Sequence, residues 1–448
     1  MILSLRFRHR RNSALPSPSR YAPLLALLLG AGCAAPRSGV PAPSPEEIPA
    51  LEAELTRSPG DVPTTVRLGA AYRADAQPDR ARSLLETALA ADPGNGGAVL
   101  FLGMTYEDLG ELTRARELYE SYLALGGPST LRRQVRGRLP LLQRQELESA
   151  VRQAIAQEAQ IASGGPQPRT VAVFPFQFVS QDTALEPLSR AMAEMLTTDL
   201  SQTDRLSVLE RTRVQLLLDE LALGESGLVD PLSVARGGRL LGAERLVQGS
   251  IGGGPAQVQF DAAIVHPWTG VVTGGSAGPS AEGSGVVRLS ESDAVQRLFD
   301  AEKRLALRIY EAIGVVLTPA ERERVNRRPT ENLQAILAYG RGLRAADAGE
   351  FALAAEYFRQ AVALDPTFDL AQEAAEESEL MDSARGVTTA QLAAIAAFET
   401  RLPIAFDGLD VLVPGPTGRD AAQEVMGTEG YGTPTVVEVV IERPVGGN

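Results

Sequence analysis

The residues with the chemistry for catalysis or metal binding are few in this chain. His9 and His266 each stand alone and Cys33 is the single cysteine, so a Cys/His zinc cluster and a paired-histidine site are excluded by count. Gly274-Gly-Ser-Ala-Gly278 fits the Gly-x-Ser-x-Gly pattern of a serine nucleophile on a strand-to-helix elbow. That chemistry needs a base histidine later in the chain, whereas His266 lies upstream and Pro279 follows the motif directly, so a glycine-rich loop is the better reading. Gly249-Ser-Ile-Gly-Gly-Gly254 has the glycines of a phosphate cradle without its Lys-Ser/Thr, and it opens onto Pro255, so it reads as a turn between strands. The carboxylate neighbours Asp219-Glu220 and Glu376-Glu377 fall on helical faces as solvated charge. His266-Pro-Trp268 sets an aromatic at a hairpin tip, there either to meet a partner or a membrane interface or to fold back on the sheet. The chain reads as non-catalytic, with no cofactor and no metal.

Position is set first by the amino terminus. Arg6, Arg8, Arg10, Arg11 and Arg20 precede the apolar run Ala22 to Leu29 and the small residues Gly30-Ala-Gly32, the pattern of a cleaved secretory signal over residues 1–32. The apolar run is far short of the roughly 20 residues of a spanning helix. Cys33 after those small residues resembles the lipobox of bacterial lipoproteins, with Gly30 where leucine is usual. The resemblance implies a lipidated Cys33 that holds the protein on the periplasmic side of the outer membrane. Residues 33–46, rich in proline, then form a tether. With the cysteine so used, no internal disulfide can form. The net charge of −13, more negative once the signal arginines are gone, argues against nucleic acid as a partner.

The strongest pattern is a self-match. Leu68, Gly69, Tyr72 and Ala81 recur 34 positions later as Leu102, Gly103, Tyr106 and Ala115, with Pro59 and Pro93 closing successive units. The glycines let one helix approach the next while Leu85, Ala88 and the repeated residues fill the space between. This resembles the tetratricopeptide repeat (TPR) family, across residues 47–163 with a preceding half-repeat. Tyr122, where a small residue is usual, and Gly127-Pro128 imply a displaced second helix in the second repeat. The resemblance assigns the concave groove to Val66, Ala70, Arg73, Leu100, Met104, Glu107 and Asp108, as contacts for a partner's protein segment or as packing residues.

Past Gly164-Gly-Pro-Gln-Pro168 the period changes. Thr170 to Phe176 is a buried-type strand, a helix covers Ala184 to Leu200, and strands follow at Leu206 to Leu209 and Glu244 to Ile251. Gln257 to Val265 and Val271-Val272 are expected to flank a hairpin turn at Pro267 to Gly270, and a long amphipathic helix from Ser292 to Val316 closes an α/β unit at 169–317. The run Val171-Ala-Val-Phe-Pro-Phe176, Leu196-Thr-Thr-Asp-Leu200, Leu206 to Arg211, Gly224 to Gly227 and Gly242 to Gly249 resembles the curli secretion component CsgG family. That resemblance implies an envelope role and is more specific for fold than for task. Pore-forming members insert two hairpins with strands of about 9–11 residues, and a second hairpin is not visible here.

A further repeat is expected at 318–385, where Gly342, Ala354, Phe358, Ala361 and Pro366 fall at TPR offsets. A tail follows at 386–448, with a short helix at Thr389 to Thr400. The reading is an α+β multidomain chain: a TPR solenoid, a CsgG-like α/β domain and a carboxy-terminal TPR-like segment. The function it implies is non-catalytic scaffolding or assembly, through envelope proteins or peptide segments, a membrane lipid and pairing with copies of itself. The alternatives are a subunit of a curli-type channel and a lipoprotein regulator of a cell-wall synthase.

Overall fold

A computed structural model describes residues 44–400 apart from 127–128, 181–182, 222–230, 255 and 270–285, and all of these fall in the second of two compact units, Val40–Asn448. The signal segment with Cys33, Gly224 to Gly227, the glycine-rich run at 274–285 and residues 401–448 lie outside the described residues.

The amino-terminal helices are α1 (Ile48–Arg57), α2 (Val62–Ala74), α3 (Pro78–Ala91), α4 (Gly96–Asp108), α5 (Leu112–Ala124) and α6 (Thr130–Ala156). Helices α2, α4 and α6 start at the same phase of the 34-residue period. The side chains of Asp61, Asn95 and Ser129 accept from the N–H groups of Thr64, Ala98 and Arg132, satisfying a donor that each helix start leaves free. The pairing of helices repeats too, with Gly69 against Leu85 and Gly103 against Tyr119. The second helix of the second repeat is therefore not displaced. Tyr122 is buried in place, with the Arg132 guanidinium 4.5 Å from its ring centroid.

Pro140 has the local character of a helix break, yet helix α6 does not stop there. It runs unbroken for 27 residues through that proline. The reason is packing on both halves: Leu131, Val135 and Leu142 enter the repeat core, while Leu147, Val151 and Ile155 join the core on one face of the sheet. Such tertiary support outweighs the local cost of a proline.

After α7 (Glu158–Gly164) come β1 (Thr170–Val173), β2 (Gln177–Phe178), α8 (Leu188–Leu200), β3 (Ser207–Val208), α9 (Arg211–Glu220), α10 (Pro231–Leu240), β4 (Arg245–Gly253), β5 (Gln257–Val265), β6 (Val286–Ala294) and α11 (Leu298–Ile313). The sheet order is β3-β1-β4-β5-β6. Strand β1 is parallel to β3 and β4, β2 continues alongside β4, and β4, β5 and β6 are antiparallel. The gap between β1 and β2 holds Pro175, which has no N–H for the ladder. Alternation separates two cores. Val171 and Val173 face the layer of α8 and α11, whereas Ala172 and Phe174 face α9, α10 and the second half of α6.

The turn expected at Pro267 opens the connection from β5 to β6, and both edges of β5 are taken by β4 and β6. Val258 pairs with Gly253 of β4 around a turn at Gly253-Gly254, and Val265 pairs with Val286 of β6. Of the glycine run 249–254, Gly249 and Gly252 thus belong to a strand, with Gly249 pressed against Phe176. Val271-Val272 lies outside the described residues.

The chain ends its described course in α12 (Pro319–Val325), α13 (Leu333–Asp347), α14 (Phe351–Leu364), α15 (Asp369–Ala384) and α16 (Thr389–Thr400). Helix α13 packs on α8, α15 on α14 and α6, and α16 on α4 and α6. The helical stack therefore reads α5, α6, α15, α14, α13, with the carboxy-terminal repeat completing the amino-terminal one.

Candidate functional site

The groove assigned from the repeat pattern is occupied by the chain itself. Val66 and Ala70 of α2 and Leu100 and Met104 of α4 are buried in one core with Leu392, Ala393, Ala396 and Ala397 of α16. Those four positions form a single apolar stripe on a helix. Helix α16 begins with a cap in which the Gln391 N–H donates to Thr388 Oγ1 at 3.1 Å and the Thr388 N–H donates to Gln391 Oε1 at 2.8 Å.

The charged groove residues grip the start of that helix. Arg73 Nη1 donates to Asp108 Oδ2 at 2.8 Å and Arg73 Nη2 to the Thr389 carbonyl at 3.4 Å, while Thr389 Oγ1 donates to Asp108 Oδ1 at 2.5 Å. Glu107 accepts from Arg138 Nε at 2.7 Å, from Arg138 Nη2 at 2.6 Å and from the Tyr119 hydroxyl at 2.8 Å. Arg138 in turn donates to the Val387 carbonyl. Burial works against the Arg138 charge, yet the hydrogen bond and field of Glu107 outweigh it and hold its pKa above the ordinary arginine value. Burial, with the Glu107 charge beside it, pushes the Tyr119 hydroxyl well above the usual tyrosine range.

The groove assignment omits Arg138, although the period carries it: Ala70, Met104 and Arg138 are spaced 34 apart. The same holds for Gly137 after Gly69 and Gly103.

Two further polar clusters lie inside the fold. Asp347 at the end of α13 accepts from Arg211 Nη1 at 2.8 Å and from Arg190 Nε at 3.1 Å, and Arg211 Nε donates to Glu194 at 2.9 Å. This cluster ties α13 to α8 and α9. Between α8 and α11, Lys303 Nζ donates to both Asp199 oxygens at 2.8 Å and lies 3.3 Å from the fully buried Glu302, while the Tyr310 hydroxyl donates to the Asp199 carbonyl at 2.6 Å.

His266 is half-buried beyond the end of β5, its pKa lowered by burial and then by Arg245. Trp268 folds back, its Nε1 donating to the Ala243 carbonyl at 2.8 Å. Among the described residues no group of three or more His, Cys, Asp or Glu is placed to hold a metal ion. The Gly274–Gly278 motif lies outside the described residues. The groove, by contrast, offers an apolar trough and charged groups that grasp main-chain carbonyls, which suits it to holding a helix.

The family comparison agrees with both halves of this architecture. Residues 146–278 match the model of the curli production assembly/transport component CsgG. That segment is similar to a CsgG domain. Its match begins within α6, at the half of that helix that packs on the sheet. Residues 72–132 match a tetratricopeptide repeat model. Among solved structures, a tetratricopeptide repeat protein from Parabacteroides merdae aligns over 74% of this chain and 91% of its own, at 14% identity and a TM-score of 0.20. No curated protein matches the chain at a significant level. TPR and CsgG domains are protein-binding and assembly modules, generally non-catalytic, and the CsgG family is associated with the cell envelope. No described helix is long and apolar enough to cross a membrane.

Proposed function

We propose that this protein is a non-catalytic cell-envelope lipoprotein that scaffolds or assembles a protein complex, anchored through Cys33 on the periplasmic side of the outer membrane. The observation that carries the reading is the sharing of α6: one helix walls both the repeat core and the CsgG domain's sheet, so a partner held by the repeats is held in fixed register to the CsgG domain. The sequence supplies the signal and the lipobox-like Cys33, and the TPR repeats supply a surface of the protein-binding class. No step of bond chemistry is required of any residue.

The test is the oligomeric state of the detergent-extracted protein by size-exclusion with light scattering, together with mass analysis of its amino terminus. A monomer or dimer with a lipidated Cys33 is expected. A large ring would favour the curli-type channel instead, and an unmodified Cys33 would remove the anchor.

A further inference from the structure

The sheet ends in a free edge. In the order β3-β1-β4-β5-β6, no strand pairs with the outer side of β6 among the described residues. The Val295 N–H donates to the Ala256 carbonyl at 3.1 Å, so the odd-numbered residues of β6 turn their main-chain groups to β5 and the even-numbered ones turn theirs outward. Two further bonds fix the same phase: Arg308 Nη1 of α11 donates to the Ser290 carbonyl at 2.7 Å, and the Ala294 N–H donates to Asp293 Oδ1 at 2.8 Å. Side chains thus meet outward groups that a further strand would meet. Such an edge is a template for another strand. Its two faces differ. Val287 and Leu289 stand on the α11 side, with Val287 43% exposed, whereas Arg288, Ser290 and Ser292 are exposed on the other.

The sequence past α16 holds a segment that fits this edge. Thr435-Val-Val-Glu-Val-Val-Ile441, outside the described residues, is a run of β-type residues bounded by Pro434 and Pro444. In extended form it sets Val437, Val439 and Ile441 on one face and Glu438 and Glu442 on the other. The apolar face then meets Val287, and the acidic face lies on the side of Arg288. Residues 401–433, drawn out, reach about 110 Å, against a diameter of about 50 Å for a fold of this size, so the end of α16 sets no limit on where the segment docks.

We propose that residues 435–441 add to the outer edge of β6 in cis, as a seventh strand of the sheet. The carboxy terminus thereby covers an edge that is otherwise open to another sheet. This arrangement is independent of the assembly and anchor readings above.

Hydrogen exchange on the full chain is the test. Amides of residues 436–441 are expected to exchange about ten-fold or more slowly than those of residues 418–428, and the outward N–H groups of Arg288, Ser290 and Ser292 to be protected with them. The full-chain double variant Val439→Pro/Val440→Pro removes a ladder donor in either phase of the added strand. It is expected to release both sets of amides while leaving those of β4 and β5 as they are in wild type. Amides at 436–441 that exchange as fast as those at 418–428 overturn the proposal. Protection of Arg288, Ser290 and Ser292 that survives the double variant places the segment elsewhere and also overturns it. Protection of 436–441 that vanishes on dilution, with a matching dimer in light scattering, assigns the edge to the tail of another copy and overturns the cis arrangement. None of these readouts involves a membrane or the anchor, so loss of the lipoprotein reading leaves them standing, and their failure leaves that reading untouched.

Discussion

Gly137 of α6 lies so close to α15 that a Cβ placed on it would stand 2.1 Å from the Leu380 carbonyl oxygen. Gly69 meets only the side chain of Leu85, at 2.7 Å, which can change rotamer. Gly137→Ala must therefore push α6 and α15 apart, whereas Gly69→Ala needs a local repacking. Urea unfolding is expected to show a loss of about 2 kcal/mol or more for the former, net of a helix-propensity gain near 1 kcal/mol, and a smaller loss for the latter. A Gly137→Ala protein as stable as wild type would show that α15 does not bear on α6.

In the Arg138–Glu107 pair Arg138 is buried and Glu107 largely so, so removing one partner strands the other. Arg138→Met is expected to cost about 3–5 kcal/mol, and the double variant Arg138→Met/Glu107→Gln to recover most of it. A double-mutant cycle in denaturant reads the coupling directly. Additive losses would mean the pair is not coupled.

Burial and the neighbouring Glu302 push the Asp199 carboxyl well above the ordinary carboxylate range, against the pull of Lys303. A folded-state pKa above the unfolded one favours folding while the proton is held. That contribution is complete below about pH 4, the unfolded value, and is lost as pH rises through the folded value. Wild type is thus expected to lose stability relative to Asp199→Asn as pH rises above about 4, measured by urea midpoints at increasing pH. Parallel curves would mean that Asp199 ionises freely in the fold.

Glu321 behaves in the opposite sense. As the third residue of a capping box it accepts from the Thr318 N–H and hydroxyl and pairs with Arg205, which lowers its pKa to about 2. Its contribution is present above the unfolded value of about 4.3 and is lost as pH falls through about 2. Glu321→Gln is expected to lower the thermal midpoint at pH 7 and to converge with wild type as pH falls through about 2. A gap that persists at the acid end would assign the loss to shape and not to charge.

Much of the architecture is legible in the chain because it repeats. The pairs Gly69–Leu85, Gly103–Tyr119 and Gly342–Phe358 share one sixteen-residue offset, and a Cβ on each glycine would fall within 3 Å of its partner's side chain. The strand at Thr170 is equally plain, since Thr170 to Val173 are buried on both faces. Where the sequence misleads, a distant segment decides the outcome. Pro140 has the local character of a helix end, and α9 and α15 override it by packing on both sides of α6. The groove residues Arg73, Glu107 and Asp108 follow from the repeat resemblance. Their partners Val387 and Thr389 lie in a stretch with no pattern linking it to them.

The Arg73–Thr389 contact joins positions 316 residues apart. During synthesis the amino-terminal repeats emerge long before α15 and α16 exist to cover α6 and α4, so Leu100, Met104 and Leu131 lack that cover until about 270 further residues have been made. Closing so large a loop is slow, because its entropy is lost before any contact compensates for it. The nascent chain therefore passes through a stage with an open apolar trough, the time at which a chaperone has most to hold.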